Sequence, residues 1–90
     1  MDERFDPAKD ALNRQKHGLP LLFGERLFED PAHLVIPSVR LIDGEERFKV
    51  VGQVEGKIYT AVFTWRGELR RYISVRRSNP GEEKLYRSAG

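Results

Sequence analysis

The chain has 90 residues, one third of them charged, with 16 Lys and Arg against 14 Asp and Glu and no cysteine. That length predicts one small domain spanning 1–90, burying only roughly 60–65% of its unfolded surface and so leaving area for a partner. The composition excludes a disulfide scaffold and a thiolate zinc site, no apolar run exceeds five residues where a membrane helix needs roughly 20, and the mixed-charge start Met1-Asp2-Glu3-Arg4 does not read as a secretory leader, so a cytoplasmic protein with no membrane partner is expected.

Asp6-Pro7 opens a first helix, because Asp supplies a capping oxygen and Pro at the first helical position gives up an amide that has no partner there. Gly18 closes it, since glycine accepts the left-handed conformation beyond a helix end. Ala8, Ala11 and Leu12 recur at helical spacing and predict the packed stripe. Lys9, Asn13, Lys16 and His17 fall within an arc of about 100° on the opposite side. Lys16 and His17 occupy the last turn, where the helix dipole favours positive charge. A second short helix is expected after Pro20, with Leu19, Leu22, Phe23 and Leu27 inward, ending near Asp30-Pro31.

Four strands follow in the pattern. Leu34–Arg40 contains Pro37, which confines it to a sheet edge or a bulge. Arg47–Val54 alternates, Phe48, Val50 and Val54 on one face and Arg47, Lys49 and Gln53 on the other. Glu55-Gly56 turns the chain into Lys57–Arg66, a long run of strand formers, and Arg66-Gly67-Glu68 turns it again into Leu69–Arg76. There Arg71, Ile73 and Val75 are expected to alternate with Tyr72, Ser74 and Arg76. Ser78 or Asn79 caps a last short helix from Pro80, with Leu85 and Tyr86 toward its end. Helices, an antiparallel meander of about four strands and a closing helix make an α+β fold of two layers.

Charge is unevenly distributed along this layout. Residues 1–65 hold 9 basic and 11 acidic side chains, whereas residues 66–90 hold 7 basic and 3 acidic ones. Six of those seven are arginine (Arg66, Arg70, Arg71, Arg76, Arg77 and Arg87), whose planar fork matches phosphate oxygens in two-point contact. Clustered arginine is the electrostatic footprint of nucleic-acid binding, although a solvated strand surface with ordinary ion pairs has the same composition. There is no phosphate-binding glycine loop and no dinucleotide fingerprint. His17 and His33 lie on different elements without metal-ligand spacing, so neither a metal nor another cofactor is expected.

What remains is a polar, basic set: Lys9, Lys16, His17, Arg47, Arg66, Arg71 and Arg76, with Glu46 and Tyr86 near them in the pattern. Such a set can serve RNA cleavage by the substrate's own 2′-hydroxyl. That reaction needs a proton acceptor, cations around the phosphorane and a protonated leaving oxygen. Histidine as a residue type suits proton transfer, which makes His17 a candidate, but a histidine at a helix end also serves as a cap. Glu46 can equally pair across strands, and Tyr86 can equally pack in the core. Two readings without catalysis use the same residues. One is a nucleic-acid-binding module in which the arginines only position phosphates. The other is a protein-interaction partner with an apolar patch at Leu21, Leu22 or Phe28.

Phe5-Asp6-Pro7-Ala8-Lys9, Asn13 and Lys16-His17-Gly18 resemble the start of the BrnT family of bacterial toxins. The resemblance continues through Phe28-Glu29-Asp30-Pro31, Gly44-Glu45-Glu46-Arg47 with Gly52, and Thr64-Trp65-Arg66. It ends with Arg71-Tyr72-Ile73-Ser74-Val75-Arg76-Arg77, Glu82 and Tyr86, in the family's order along nearly the whole chain. The chain departs from the family pattern at Leu21, where phenylalanine is usual, and at Pro20, Gly24 and Pro80-Gly81, where better helix formers are usual. The resemblance implies a RelE-like fold and a type II toxin that inhibits translation by cleaving RNA. It also implies an antitoxin partner of ribbon-helix-helix type, and a heterotetramer that binds operator DNA through the antitoxin. Taken with the chemistry, it assigns Arg66 and Arg76 to the scissile phosphate and His17 and Glu46 to proton transfer or orientation. Lys9, Lys16, Arg47, Arg71 and Arg77 are then contacts to the RNA.

Overall fold

Asp6 turns the chain into the first helix as its sequence predicts: its Oδ1 accepts the amide of Ala8 at 2.9 Å, and Pro7 follows at once. Helix α1 runs Pro7–His17 and ends at Gly18, whose φ of +71° lets its amide reach the Arg14 carbonyl at 2.9 Å. The computed structural model describes residues 2–38 and 46–89. Within them follow a 3₁₀ turn at Leu21–Phe23, helix α2 at Gly24–Leu27, and strands β1 (Leu34–Pro37), β2 (Phe48–Val54), β3 (Lys57–Arg66) and β4 (Leu69–Arg77). Helix α3 (Pro80–Ala89) closes the chain. The strands form one antiparallel sheet in the order β1-β2-β3-β4, an α+β meander as expected. The predicted extension of the first strand to Arg40 reaches outside the described residues. No helix of the described residues is long and apolar enough to cross a membrane.

The packed face of α1 differs from the predicted stripe. Ala8 and Ala11 are exposed, Leu12 is 53% exposed, and the buried residue is Asn13. The cause lies in the partner. Strand β4 is a sheet edge with unpaired backbone groups, and Asn13 answers them as another strand would. Its Nδ2 donates to the Val75 carbonyl at 2.9 Å and to the Leu19 carbonyl at 2.8 Å, and its Oδ1 accepts the Val75 amide at 3.0 Å. An amide side chain therefore docks α1 where an aliphatic one cannot.

The segment after Pro20 splits into the 3₁₀ turn and the short α2. Asp10 accepts the Leu21 amide at 2.7 Å. Leu21 is fully buried, so it belongs to the core and forms no exposed patch. Two glycines let α2 sit close on the sheet. A Cβ at Gly52 would lie 2.7 Å from the Leu27 carbonyl oxygen, and one at Gly24 would lie 2.5 Å from the Tyr72 ring.

Strand β4 departs from simple alternation. Val62 pairs with Ser74 but Phe63 pairs with Tyr72, so Ile73 is the extra residue of a bulge. Beyond the bulge the faces switch: Tyr72 and Val75 are both buried on the α1–α2 side, and Arg71, Ser74 and Arg76 share the other. The expected grouping of Val75 with Arg71 is corrected by that one inserted residue.

Two cores result. Under α1 and α2, Leu21, Leu27, Val50, Val54, Ala61, Phe63, Tyr72 and Val75 form the larger. On the opposite face Val51, Ile58 and Tyr86 form a smaller one with Leu34. Helix α3 is capped reciprocally: Glu82 donates its amide to Asn79 Oδ1 at 2.8 Å, and Asn79 donates its amide to Glu82 Oε1 at 3.0 Å. Asn79, of the two predicted candidates, is thus the cap.

Candidate functional site

Paired residues of an antiparallel sheet project to the same side, and positions two apart repeat that side. The pairs Thr60–Arg76, Val62–Ser74, Thr64–Arg71 and Lys49–Val62 therefore place Lys49, Arg71, Ser74 and Arg76 on the α3 side of the sheet. Arg66, pairing with Leu69 at the end of β3, continues the row and is exposed. Helix α3 packs over the end of this face around Val51, Ile58 and Tyr86. Among the described residues, the remainder is a cationic half-face that α3 leaves uncovered.

At the boundary between its covered and open halves sits Glu82, only 4% exposed. Arg76 grips it with both terminal nitrogens, Nη1 to Oε1 at 2.7 Å and Nη2 to Oε2 at 2.8 Å. Thr60 donates its hydroxyl at 2.9 Å and Lys49 its ammonium at 3.3 Å. Burial alone would raise the Glu82 carboxyl. The hydrogen bonds from Arg76, the Asn79 amide and Thr60 outweigh it and hold the group at about 2. Hydrogen bonding to Glu82 in turn raises Arg76 above its ordinary value, against the opposing effect of burial.

Along the β4 edge, Lys9, Leu12, Asn13, Lys16 and His17 line a groove of about 240 Å³ with Ile73 and Ser74. Three of the sequence-predicted residues, Lys9, Lys16 and His17, are thus brought together. The bulge is what puts Ile73 and Ser74 side by side on that rim, and Ser74 also belongs to the cationic face, so groove and face are continuous.

Other predicted residues are placed apart. Arg71 lies on the face and donates through Nη1 to the Glu3 carbonyl at 2.9 Å. Arg47 is half-buried, its Nε without a hydrogen-bond partner among the described residues. Glu46 is exposed. Its carbonyl accepts the Thr64 hydroxyl at 2.8 Å, and with Phe48, Thr64 and Trp65 it lines a separate hollow of about 260 Å³ that does not include His17. Arg77 pairs with Tyr59, its guanidinium 5.5 Å from that ring, on the side of the sheet opposite Arg71 and Arg76. Tyr86 is a packing residue. It donates to Asp30 at 2.5 Å, and that bond, with burial, pushes its hydroxyl up to about 12. His33 shares 2.8 Å between Nδ1 and the Asp30 carbonyl and meets the Phe28 ring edge-on. Among the described residues no group of three His, Asp or Glu is placed to hold a metal ion.

Two residues of the charged junction, Lys49 and Glu82, carry no role in the sequence pattern. Lys49 shares the strand alternation of Arg47, which is the one signal that marks it. Glu82 was legible as the fourth residue of Asn79-Pro80-Gly81-Glu82, the spacing of a capping box.

The family model described as "Ribonuclease toxin, BrnT, of type II toxin-antitoxin system" matches residues 5–82, a span that includes the groove, the cationic face and Glu82. No curated protein matches the chain.

Proposed function

Because the chain belongs to the BrnT family of ribonuclease toxins of type II toxin–antitoxin systems, we propose that it is an endoribonuclease that cuts RNA through the substrate's own 2′-hydroxyl without a metal ion. In this reading it acts in the cytosol and inhibits translation until a cognate antitoxin neutralises it. One observation carries the mechanism: the groove holding Lys9, Lys16 and His17 opens at Ser74 onto the face holding Arg71 and Arg76. A phosphodiester lying across that rim has guanidinium groups on one side and an imidazole on the other.

The chemistry follows from these groups. Arg66 and Arg76 donate to the non-bridging oxygens, whose negative charge grows as the phosphorane forms, and charged donors fixed in place beforehand are most effective there. The Glu82 carboxylate supplies that fixing for Arg76. His17 exchanges the proton of the 2′-hydroxyl or of the leaving 5′-oxygen, and Lys9 and Lys16 hold flanking phosphates. Arg71 backs the same phosphate, tethered to the Glu3 carbonyl. Glu46 orients its neighbour Arg47 or takes the 2′-proton, and Arg77 contacts RNA outside the reacting centre. The partner we propose is a ribbon-helix-helix antitoxin, joined in a heterotetramer that binds operator DNA through the antitoxin.

Purified protein incubated with single-stranded RNA in excess chelator tests the reading. Cleavage is expected to persist, and Arg66→Ala or Arg76→Ala is expected to reduce it at least about 100-fold while antitoxin binding is kept. Salt-sensitive binding without any cleavage by the unmodified protein would replace the nuclease with a binding module.

A further inference from the structure

We propose that Lys49 is a second phosphate-binding cation of this site, and that Glu82 is a positioning residue that holds Lys49 and Arg76 as a two-cation clamp for one RNA phosphate. The inference rests on the ribonuclease reading for its substrate and goes beyond it in residues. Lys49 and Arg76 approach from strands β2 and β4, on either side of β3, and meet on different contacts to the same carboxylate. Both remain reachable, their side chains 32% and 28% exposed, whereas the Glu82 side chain is 5% exposed. The carboxylate is therefore inside and the cations face out.

The geometry of the pair leaves a free edge. Glu82 takes the end of the guanidinium, one hydrogen from each terminal nitrogen. The side edge, Nε with the outer hydrogen of Nη2, makes no hydrogen bond among the described residues. That edge is a fork of the kind that receives a phosphate in two-point contact. The ammonium of Lys49 has donors beyond the single one directed at Glu82 Oε2 at 3.3 Å. Two cations against one anion leave the junction a positive charge. Thr60 and the Asn79 amide also bind Glu82 Oε1, so the carboxylate cannot swing out to follow an arginine drawn toward substrate. A buried anion held by so many donors is a fixed support for the cations.

The test uses two readouts on the full chain. The first is the affinity for a 2′-O-methyl RNA oligonucleotide, which lacks the attacking hydroxyl, measured by fluorescence anisotropy across a potassium chloride series. Lys49→Gln is expected to weaken binding and to flatten the slope of log affinity against log salt by about 0.7, the loss of one phosphate contact to a single strand. An unchanged slope in the folded variant overturns the role of Lys49, and does so whether or not the protein cleaves RNA. The second readout is cleavage of unmodified RNA by Glu82→Gln, which keeps the side-chain shape and removes the charge. A positioning role lowers kcat about tenfold or more with little change in KM, because the ordering lost from the two cations is offset in the ground state by removal of an anion beside the phosphate. A kcat within twofold of the unmodified protein, in a variant shown to be folded by circular dichroism, overturns the role of Glu82. Absence of cleavage by the unmodified protein rejects the ribonuclease reading instead, and the salt slope still decides the clamp.

Discussion

The two faces of one sheet have been put to opposite uses. On the α1–α2 side the strands present Val50, Val54, Ala61, Phe63, Tyr72 and Val75, and the helices return Leu21 and Leu27. Phe63 lies at the centre of this side, with the rings of Phe28, Phe48, Trp65 and Tyr72 at centroid distances of 5.5, 5.7, 5.7 and 6.1 Å. On the α3 side the same strands alternate into Lys49, Thr60, Val62, Thr64, Arg71, Ser74 and Arg76, and among the described residues only Val51, Ile58 and Tyr86 make a buried apolar cluster there. A small domain has too little apolar surface to cover both faces of a four-stranded sheet. Concentrating burial on one face leaves the other free to carry charge, and α3 is then held there by polar contacts: Glu82 to Arg76, Lys49 and Thr60, and Tyr86 to Asp30.

The largest expected contrast comes from adjacent positions of β3. Phe63→Ala removes a side chain that is 1% exposed and leaves a void among four rings; it should cost about 3–5 kcal/mol in urea unfolding. Val62→Ala, one residue earlier on the half-open face, should cost about 1 kcal/mol or less. Equal losses would mean that the α3 face carries as much of the packing as the other, and the contrast between the faces would be withdrawn.

A smaller effect should appear in acid. The Glu82 carboxyl is held at about 2, below its ordinary value of 4.5, so its contribution to stability is present above pH 4.5 and is lost as pH falls from there toward 2. Wild-type stability minus that of Glu82→Gln should therefore shrink through this window, by about 1–2 kcal/mol once solvent screening of partly exposed Arg76 and Lys49 is allowed for. Asp10 and Asp30 are lowered as well, and the subtraction removes their common contribution. A difference that stays flat from pH 5 to 2 would show that the polar attachment of α3 does not depend on this charge.

How far these contrasts were readable beforehand depended on the range of the forces involved. The ends of α1 follow from Asp6 and Gly18, and β3 runs over the very residues predicted, because caps, turns and strand propensity are local. The α+β layout was legible for the same reason. The bulge at Ile73 was not: one unpaired residue leaves no mark in composition, yet it moves Val75 away from Arg71 and brings Ser74 to the groove. The candidate site was legible as a list of basic residues and not as an arrangement. Lys9, Lys16 and His17 do share a groove, but Arg77 falls on the opposite face and Glu46 in a separate hollow. Which side a strand residue takes was decided by register, a property of its partner.

The same reasoning gives the smallest expected effect, at Leu12. By spacing alone Leu12 is the strongest member of an apolar stripe with Ala8 and Ala11, and burial of such a leucine would make Leu12→Ala cost about 2–5 kcal/mol. In the structure it is 53% exposed on the groove wall beside Lys9, Lys16 and His17, while its neighbour Asn13 is 5% exposed and bonded to both backbone groups of Val75. Leu12→Ala should then shift stability by no more than about 0.5 kcal/mol. Asn13→Ala, which strands the Val75 amide and carbonyl against a helix, should cost about 2–3 kcal/mol. Thermal or urea unfolding of the two variants side by side decides it. A larger loss at Leu12 than at Asn13 would mean that α1 is seated by its alanine–leucine stripe, and the docking of a helix on a strand edge through one amide would have to be given up.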